Sequence, residues 1–321
     1  MTMSHLRAFA RRLAIFLGTV VAASVVIFLI VQALPGDVAV ATLGTGASPE
    51  AVAALRANWG LDRPMALRYL DWVGGMLHGD LGNSYATGES VVSQIGPRLA
   101  VTAWLVGLSI PLSLFFALPL GMYSAMKRRR WTGAVVNAAS HVGLAIPVFF
   151  AGTLLTILFA VKLGWFHANG YVPLRTSVGG WASHMVLPVL SIVIVQGCFL
   201  FRYVRAGFID VLGEDYYRTA RAVGWTRWRA LVRHGTRNVA VSLVTVLGMQ
   251  IASLLVGAIL VEQVFVLPGL GTLLVRSALS KDLMVVQGVA MLLVFAVLAV
   301  NFLVDVAYLV IDPRVAKEVR T

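Results

Sequence analysis

Metal binding, proton transfer and nucleophilic attack each need particular side chains held close together, and few such groupings occur in this sequence. Its six histidines are scattered, and neither H-E-x-x-H nor another ligand spacing occurs, so no metal centre is expected. Cys198, the single cysteine, allows no intrachain disulfide and no thiolate metal site. It lies in an apolar stretch and reads as a small packing residue. No segment matches G-x-x-x-x-G-K-[ST], the loop whose backbone amides cradle phosphates, so this chain is not expected to bind ATP itself. Asp305 is the one acid deep in an apolar block, with Asn301 one turn before it. An acid inside a membrane is a functional suspect, and a protonated Asp305 satisfied by Asn301 or nearby backbone is the equal alternative. The chain is therefore expected to carry no catalytic residue and no cofactor, with Asn301 and Asp305 as intramembrane polar candidates.

Positive charge is the other chemical resource, and it is concentrated in RYVRAGFIDVLGEDYYRTARAVGWTRWRALVRHGTRN, residues 202–238. Residues 214–223 predict a helix with acids in its first turn and Gly224 as its stop. A second helix is expected over 227–237, running into the next apolar block. Thr219 and Ala220 are small, and Tyr216, Tyr217, Trp225 and Trp228 flank them. A short helix with a small centre, aromatic flanks and a cationic rim suits a groove on another protein. A basic amphipathic segment resting on anionic lipid has the same composition, and the residues alone leave both open.

The elements around these residues follow from the apolar blocks. Apolar residues make up 59% of the 321 and charged ones 12%, and mean hydropathy is +0.85, outside the range of a soluble domain with a charged skin. Blocks long enough to span hydrocarbon cover residues 13–34, 99–126, 135–163, 184–203, 239–261 and 284–311. Residues 13–34 are too long for a signal-peptide core and lack a small-x-small cleavage site, so they read as a retained first span. Pro111, Pro119, Pro147 and Pro188 lie within or near spans, where neighbouring helices can satisfy the freed backbone. GTVVAAS (18–24) and ASLLVGA (252–258) permit close helix contacts.

Of the 26 Lys and Arg, eighteen fall in the head, the 127–130 KRRR turn, the 202–238 loop and the tail. That bias places both termini in the cytoplasm, which requires an even number of spans. The net charge of +12 is thereby accounted for by cytoplasmic loops, and no nucleic-acid partner is expected. Within the long outer loop, Ser48, Pro49 and Glu50 start a short helix that Gly60 stops. A second helix over 64–77 carries Leu67, Leu70 and Val73 at amphipathic spacing, and packing on the bundle is its expected role.

RTARAVG resembles the E-A-A-x-x-x-G signature of membrane subunits from binding-protein-dependent ABC importers, with Arg218, Thr219 and Ala220 at the first three positions and Gly224 at the glycine. DYYRTARAVG with the later RHGTRN resembles the dipeptide/oligopeptide/nickel branch. LPGD (34–37), GLDRP (60–64), GDLGNS (79–84), VEQVFVLPGLG (261–271) and DPR (312–314) extend the similarity over nearly the whole chain. The wider signature ends in I-x-L-P, whereas this chain has HGTR at 234–237, so a straighter helix into the fifth span is expected. GLSI at 107–110 resembles the nucleophile segment of rhomboid-type proteases, but the expected sixth span has no histidine to serve as base.

The resemblance implies an all-α, polytopic fold of the type I ABC importer permease kind, with about six transmembrane helices. The expected organisation is a cytoplasmic N-terminus (1–12), first span (13–34), extracytoplasmic loop (35–97), five-helix core (98–311) with its coupling loop (204–238), and cytoplasmic tail (312–321). The implied function is a non-enzymatic permease subunit of the cell membrane that imports di- or oligopeptides. Nickel, haem, glutathione or another small solute are the alternative cargoes, and an ion-driven secondary transporter is the distant rival. The implied partners are a second homologous permease, two ABC ATPase domains that bind ATP and Mg, an extracytoplasmic solute-binding protein, and the bilayer. Asp215, Tyr216, Tyr217, Arg218, Thr219, Ala220, Gly224 and Trp225 are then the residues expected to couple to the ATPases.

Overall fold

A chain placed in hydrocarbon must close its backbone hydrogen bonds within each segment, and this one does so with helices. In the computed structural model, residues 3–34, 36–44 and 46–311 are described. Among them the only β-pairing is an isolated bridge between Asn83 and Ser90. The helices are α1 (Met3–Ala33), α2 (Val38–Leu43), α3 (Pro49–Asn58), α4 (Met65–Leu77), α5 (Val91–Met126) and α6 (Trp131–Ala145). Next come α7 (Val148–Leu155), continued by a π-helix over Thr156–Lys162, then α8 (Val178–Val211), α9 (Asp215–Ala222) and α10 (Arg227–Ala230). A π-turn, Leu231–Gly235, joins α10 to α11 (Thr236–Val264), and α12 (Leu270–Leu279) and α13 (Leu283–Ile311) complete the order. The tail motif DPR, residues 312–314, lies outside the described residues.

Among the described residues, five stretches are long and apolar enough to cross a membrane: Arg7–Ala33, Val91–Met126, Val178–Val211, Ser242–Val264 and Leu283–Val306. The third block departs from expectation. It is two helices, α6 and α7 with its π extension, meeting at 101°. Pro147 causes the break, because its ring disfavours helical backbone at the preceding residue, and Ile146 is extended at φ −85° and ψ 120°. Pro188, by contrast, sits inside continuous α8, and α5 runs unbroken through Pro111 and Pro119. Several helices also outrun their apolar blocks. α5 begins at Val91, and α8 begins at Val178, where the Ser177 hydroxyl accepts from Gly180 N–H. Its far end at Val211 makes the loop expected from 204 shorter than the sequence suggested.

The chain forms two compact units, one from residues up to Ala100 and from Gly269 onward, the other Val101–Pro268. In the first, α1 lies along α13 through Phe16–Phe302 and Phe9–Phe302 ring contacts with centroids 5.0 and 5.9 Å apart. Val91, Ile95, Leu270, Leu273, Val285 and Val289 form its buried core. α3 has the expected start and stop, with Ser48 Oγ accepting from Ala51 N–H at 3.2 Å and Gly60 at φ +65°. α4 packs through a face that shares only Val73 with the one expected. Trp72 is buried with Phe28 and Met291, whereas Leu67 and Leu70 are exposed; the large indole, not the leucine spacing, decides which face turns inward.

In the second unit two clusters of buried side chains run between α5, α8 and α11. Close helix approach occurs at glycines the sequence did not single out. A Cβ on Gly121 would stand 2.6 Å from Val204 Cγ1 and 3.1 Å from the Arg205 nitrogen, so α5 meets α8 without a side chain between them. Gly143 abuts Cys198 Sγ in the same way. Of the expected clusters, ASLLVGA contributes Ala258, fully buried, while a Cβ on Gly18 of GTVVAAS would meet no atom within 4 Å.

Candidate functional site

The basic segment between α8 and α11 forms two short helices around a glycine turn. Glu214 precedes α9 in extended conformation, and Asp215 occupies its first turn. At the other end Gly224 N–H donates to Arg221 O (3.1 Å) and Trp225 N–H to Ala220 O (3.1 Å). These are the paired bonds of a Schellman cap, which needs a left-handed residue between them; Gly224 supplies it at φ +95°. No atom lies within 4 Å of where a Gly224 Cβ would be, so the glycine here serves conformation and leaves open space outside it. Thr226, absent from the expectation, caps α10 by accepting from Arg229 N–H at 3.3 Å.

The helical repeat sorts the expected residues onto two faces. Tyr217 and Ala220, three apart, are buried in the unit's own core with Phe208, Val211 and Leu231. They therefore cannot be the exposed aromatic flank and small centre that the sequence suggested. Asp215, Arg218 and Thr219 are exposed on the other face, together with Ala222 and Val223, which sequence reasoning passed over. Val223 is 74% exposed and Trp228 is 46% exposed, so two large apolar side chains bracket Gly224 at the surface. Arg218 pairs with Asp215 at 3.3 Å, and the Thr219 hydroxyl donates to Asp215 O at 3.0 Å.

Two contacts fasten the segment to the run-in of the fifth span, and two more brace Trp225 within the segment. Asn238 Nδ2 donates to the Tyr216 hydroxyl at 2.9 Å. Trp225 meets the His234 ring edge-on at 5.4 Å, and the Arg229 guanidinium lies 5.4 Å from the Trp225 centroid. Arg221 donates to the Trp225 carbonyl. The run-in to α11 is not regular α-helix. The Leu231–Gly235 π-turn brings Gly235 against α8, where a Cβ would come within 2.9 Å of Val211 Cγ1. So HGTR, lacking proline, gives a continuous but locally widened helix instead of a straight one.

Beside α9 lies a cavity of about 400 Å³ lined by Arg128, Arg129, Arg130, Arg221, Arg227 and Tyr217, with no carboxylate on its walls. Five cations so gathered create a strong positive potential. Ser124 Oγ accepts from Arg205 Nε at 3.1 Å nearby, tying α8 to the end of α5.

The intramembrane polar candidates fall elsewhere. Asp305 is half-exposed, and its carboxylate lies 3.8 Å from the Arg12 guanidinium of α1; Asn301, exposed on the same helix, is not its partner. Asp305 is not the only acid within a span. α11 extends past the expected boundary, enclosing a fully buried Glu262 that accepts from Thr102 Oγ1 at 2.6 Å. Sequence reasoning missed Glu262 because it followed the end of the apolar run by one residue. Three groups that could jointly hold a metal do not occur among the described residues.

Comparison with known proteins agrees with this architecture. Residues 117–317 match the model of the "Binding-protein-dependent transport system inner membrane component" family. Residues 5–106 match that of its N-terminal membrane component. The chain is 37% identical over 305 residues to a Brucella abortus protein named "Putative peptide transport system permease protein", covering 95% of this chain and 97% of that one. It is 35% identical over the same length and shares to a glutathione transport system permease protein of Salmonella choleraesuis. This chain, a multi-pass all-α membrane protein, belongs to the family of inner membrane components of binding-protein-dependent transport systems.

Proposed function

We propose that this chain is one of two permease subunits that form the translocation path of an ATP-driven importer for short peptides. The observation that supports this most is its end-to-end similarity to relatives named as peptide and glutathione permeases. Glutathione is itself a tripeptide, so both names point to small amide-bearing cargo, and glutathione is the second reading. The remaining partners are two ATPase subunits, which bind ATP and Mg, and a solute-binding protein outside. Both termini and the arginine-rich segments face the cytoplasm, as the charge bias requires.

In this reading the exposed face of α9 and the Gly224 turn seat in a groove of an ATPase subunit. Asp215, Arg218, Thr219 and Gly224 meet the partner, with Val223 and Trp228 as apolar anchors. Tyr216, Tyr217, Ala220 and Trp225 position the segment and carry its motion to α8 and α11. Closure of the ATPases on ATP displaces α9, and the attached spans tilt to switch access from one side to the other. Asp305 balances Arg12 and takes no part in transport.

Gly224→Asp tests the coupling role. The carboxylate occupies the open space outside the turn and strains a left-handed position, while the spans are untouched. The reconstituted complex should insert and assemble normally, and peptide uptake should fall by about tenfold or more, the equivalent of roughly 1.4 kcal/mol at the interface, with ATP hydrolysis no longer tied to uptake. Normal uptake by the assembled variant sinks the proposal.

A further inference from the structure

The break in the third span leaves a niche that no assigned role uses. A helix interrupted within a membrane strands the carbonyls of its last turn and the amides of the next first turn. Such backbone persists at membrane depth only when buried in protein or facing a water-filled cavity. Here the extended Ile146 and Pro147 line a cavity of about 370 Å³ against α8 and α11. α7 begins there with no side chain capping its amides. Gln196 of α8 lines the same cavity. It is only 7% exposed, and its Nε2 has no hydrogen-bond partner, although its Oε1 accepts from Gln250 at 3.4 Å. A buried amide nitrogen without an acceptor is left desolvated and uncompensated, a cost that a bound acceptor would remove.

The position of the niche is as telling as its chemistry. The break lies midway between Trp131 and Lys162, Gln196 near the middle of α8, and Ser253, also on the wall, at the centre of Ser242–Val264. Three apolar elements thus meet near their midpoints, as a niche at mid-depth requires. No lining residue is charged. The niche therefore offers neutral donors, the uncapped α7 amides and the Gln196 nitrogen, which suit carbonyl acceptors of a hydrogen-bonding chain.

We infer that this mid-span niche, with Gln196 as its principal donor, contacts the main-chain amides of the cargo during translocation. The inference rests on the peptide reading above. Amide recognition is independent of peptide side chains, and one neutral hydrogen bond is weak enough for cargo to leave.

The test uses the complete importer in proteoliposomes with a radiolabelled tripeptide. Gln196→Leu should lower kcat/KM for uptake about three- to tenfold, one neutral hydrogen bond. Because it removes a buried Nε2 that lacks an acceptor, and with it only a long 3.4 Å bond from half-buried Gln250, its melting temperature should equal or exceed that of the parent. An amide with a purely structural role would show the reverse, lower stability and unchanged uptake, and that result overturns the inference. Gln196→Met, unbranched and similar in volume, carries the test if the leucine variant does not assemble. A second arm places Ser253→Cys in a Cys198→Ala background. A charged, membrane-impermeant thiol reagent should label it, and tripeptide should protect it. Labelling by a lipid-soluble maleimide alone overturns the inference. If the parent importer takes up no tripeptide, the cargo reading falls, and labelling by the charged reagent decides whether the niche is a wet path.

Discussion

Asp282 is almost fully buried in the first unit, and its carboxylate is held by donors from a loop 197 and 198 residues earlier in the chain: Tyr85 N–H at 3.1 Å and the Ser84 hydroxyl. Ser84 Oγ in turn accepts from Thr87 N–H at 2.9 Å, so one carboxylate organises the GDLGNS loop. Burial pushes the Tyr85 phenol above its ordinary pKa, with the Arg68 guanidinium pulling the other way. Removing the acceptor strands two enclosed donors, each a loss of about 1–3 kcal/mol. Asp282→Ala should therefore lower the detergent melting temperature measurably, followed by intrinsic fluorescence, and increase proteolysis within 79–90. Unchanged stability would mean that the loop is held by its own turns.

Among the elements, the packing of α5 on α8 depends on the absent side chain at Gly121. In lipid no hydrophobic force drives two helices together, so contact area and backbone proximity decide their association. Gly121→Val forces the Val204 side chain or the α8 backbone to move, an overpacking cost of about 1–3 kcal/mol. The expected result is reduced yield of folded protein and a lower melting temperature, whereas Gly18→Val, where a Cβ meets no atom, should be neutral. Equal effects of the two would refute the packing argument. α6 and α7 illustrate the opposite case. Their sequence has the length and hydropathy of one span, and a single proline placed after an extended isoleucine divides it.

For the molecule as a whole, purification in mild detergent from the native host, with mass spectrometry of what accompanies the chain, should find a second permease, two ATPases and a solute-binding protein. Recovery with none of these, alongside ion-driven uptake, would instead favour a secondary transporter. The spans and the two short helices around Gly224 were legible because they depend on local signals: runs of apolar residues, a capping glycine, a proline at a first turn. The break at Pro147 was not, because proline sits inside unbroken α8 at Pro188 and only the surrounding packing separates the two outcomes. The Asp282–Ser84 pair and the buried face of α4 were likewise hidden, since distant partners fix them. The way α9 is fastened has a thermodynamic consequence. Its cap, its bond to Asn238 and the packing of Trp225 on His234 order the segment before any partner arrives. In the proposed docking, association then sacrifices little conformational entropy, so that contact can be made and broken within each cycle without the helix melting in between.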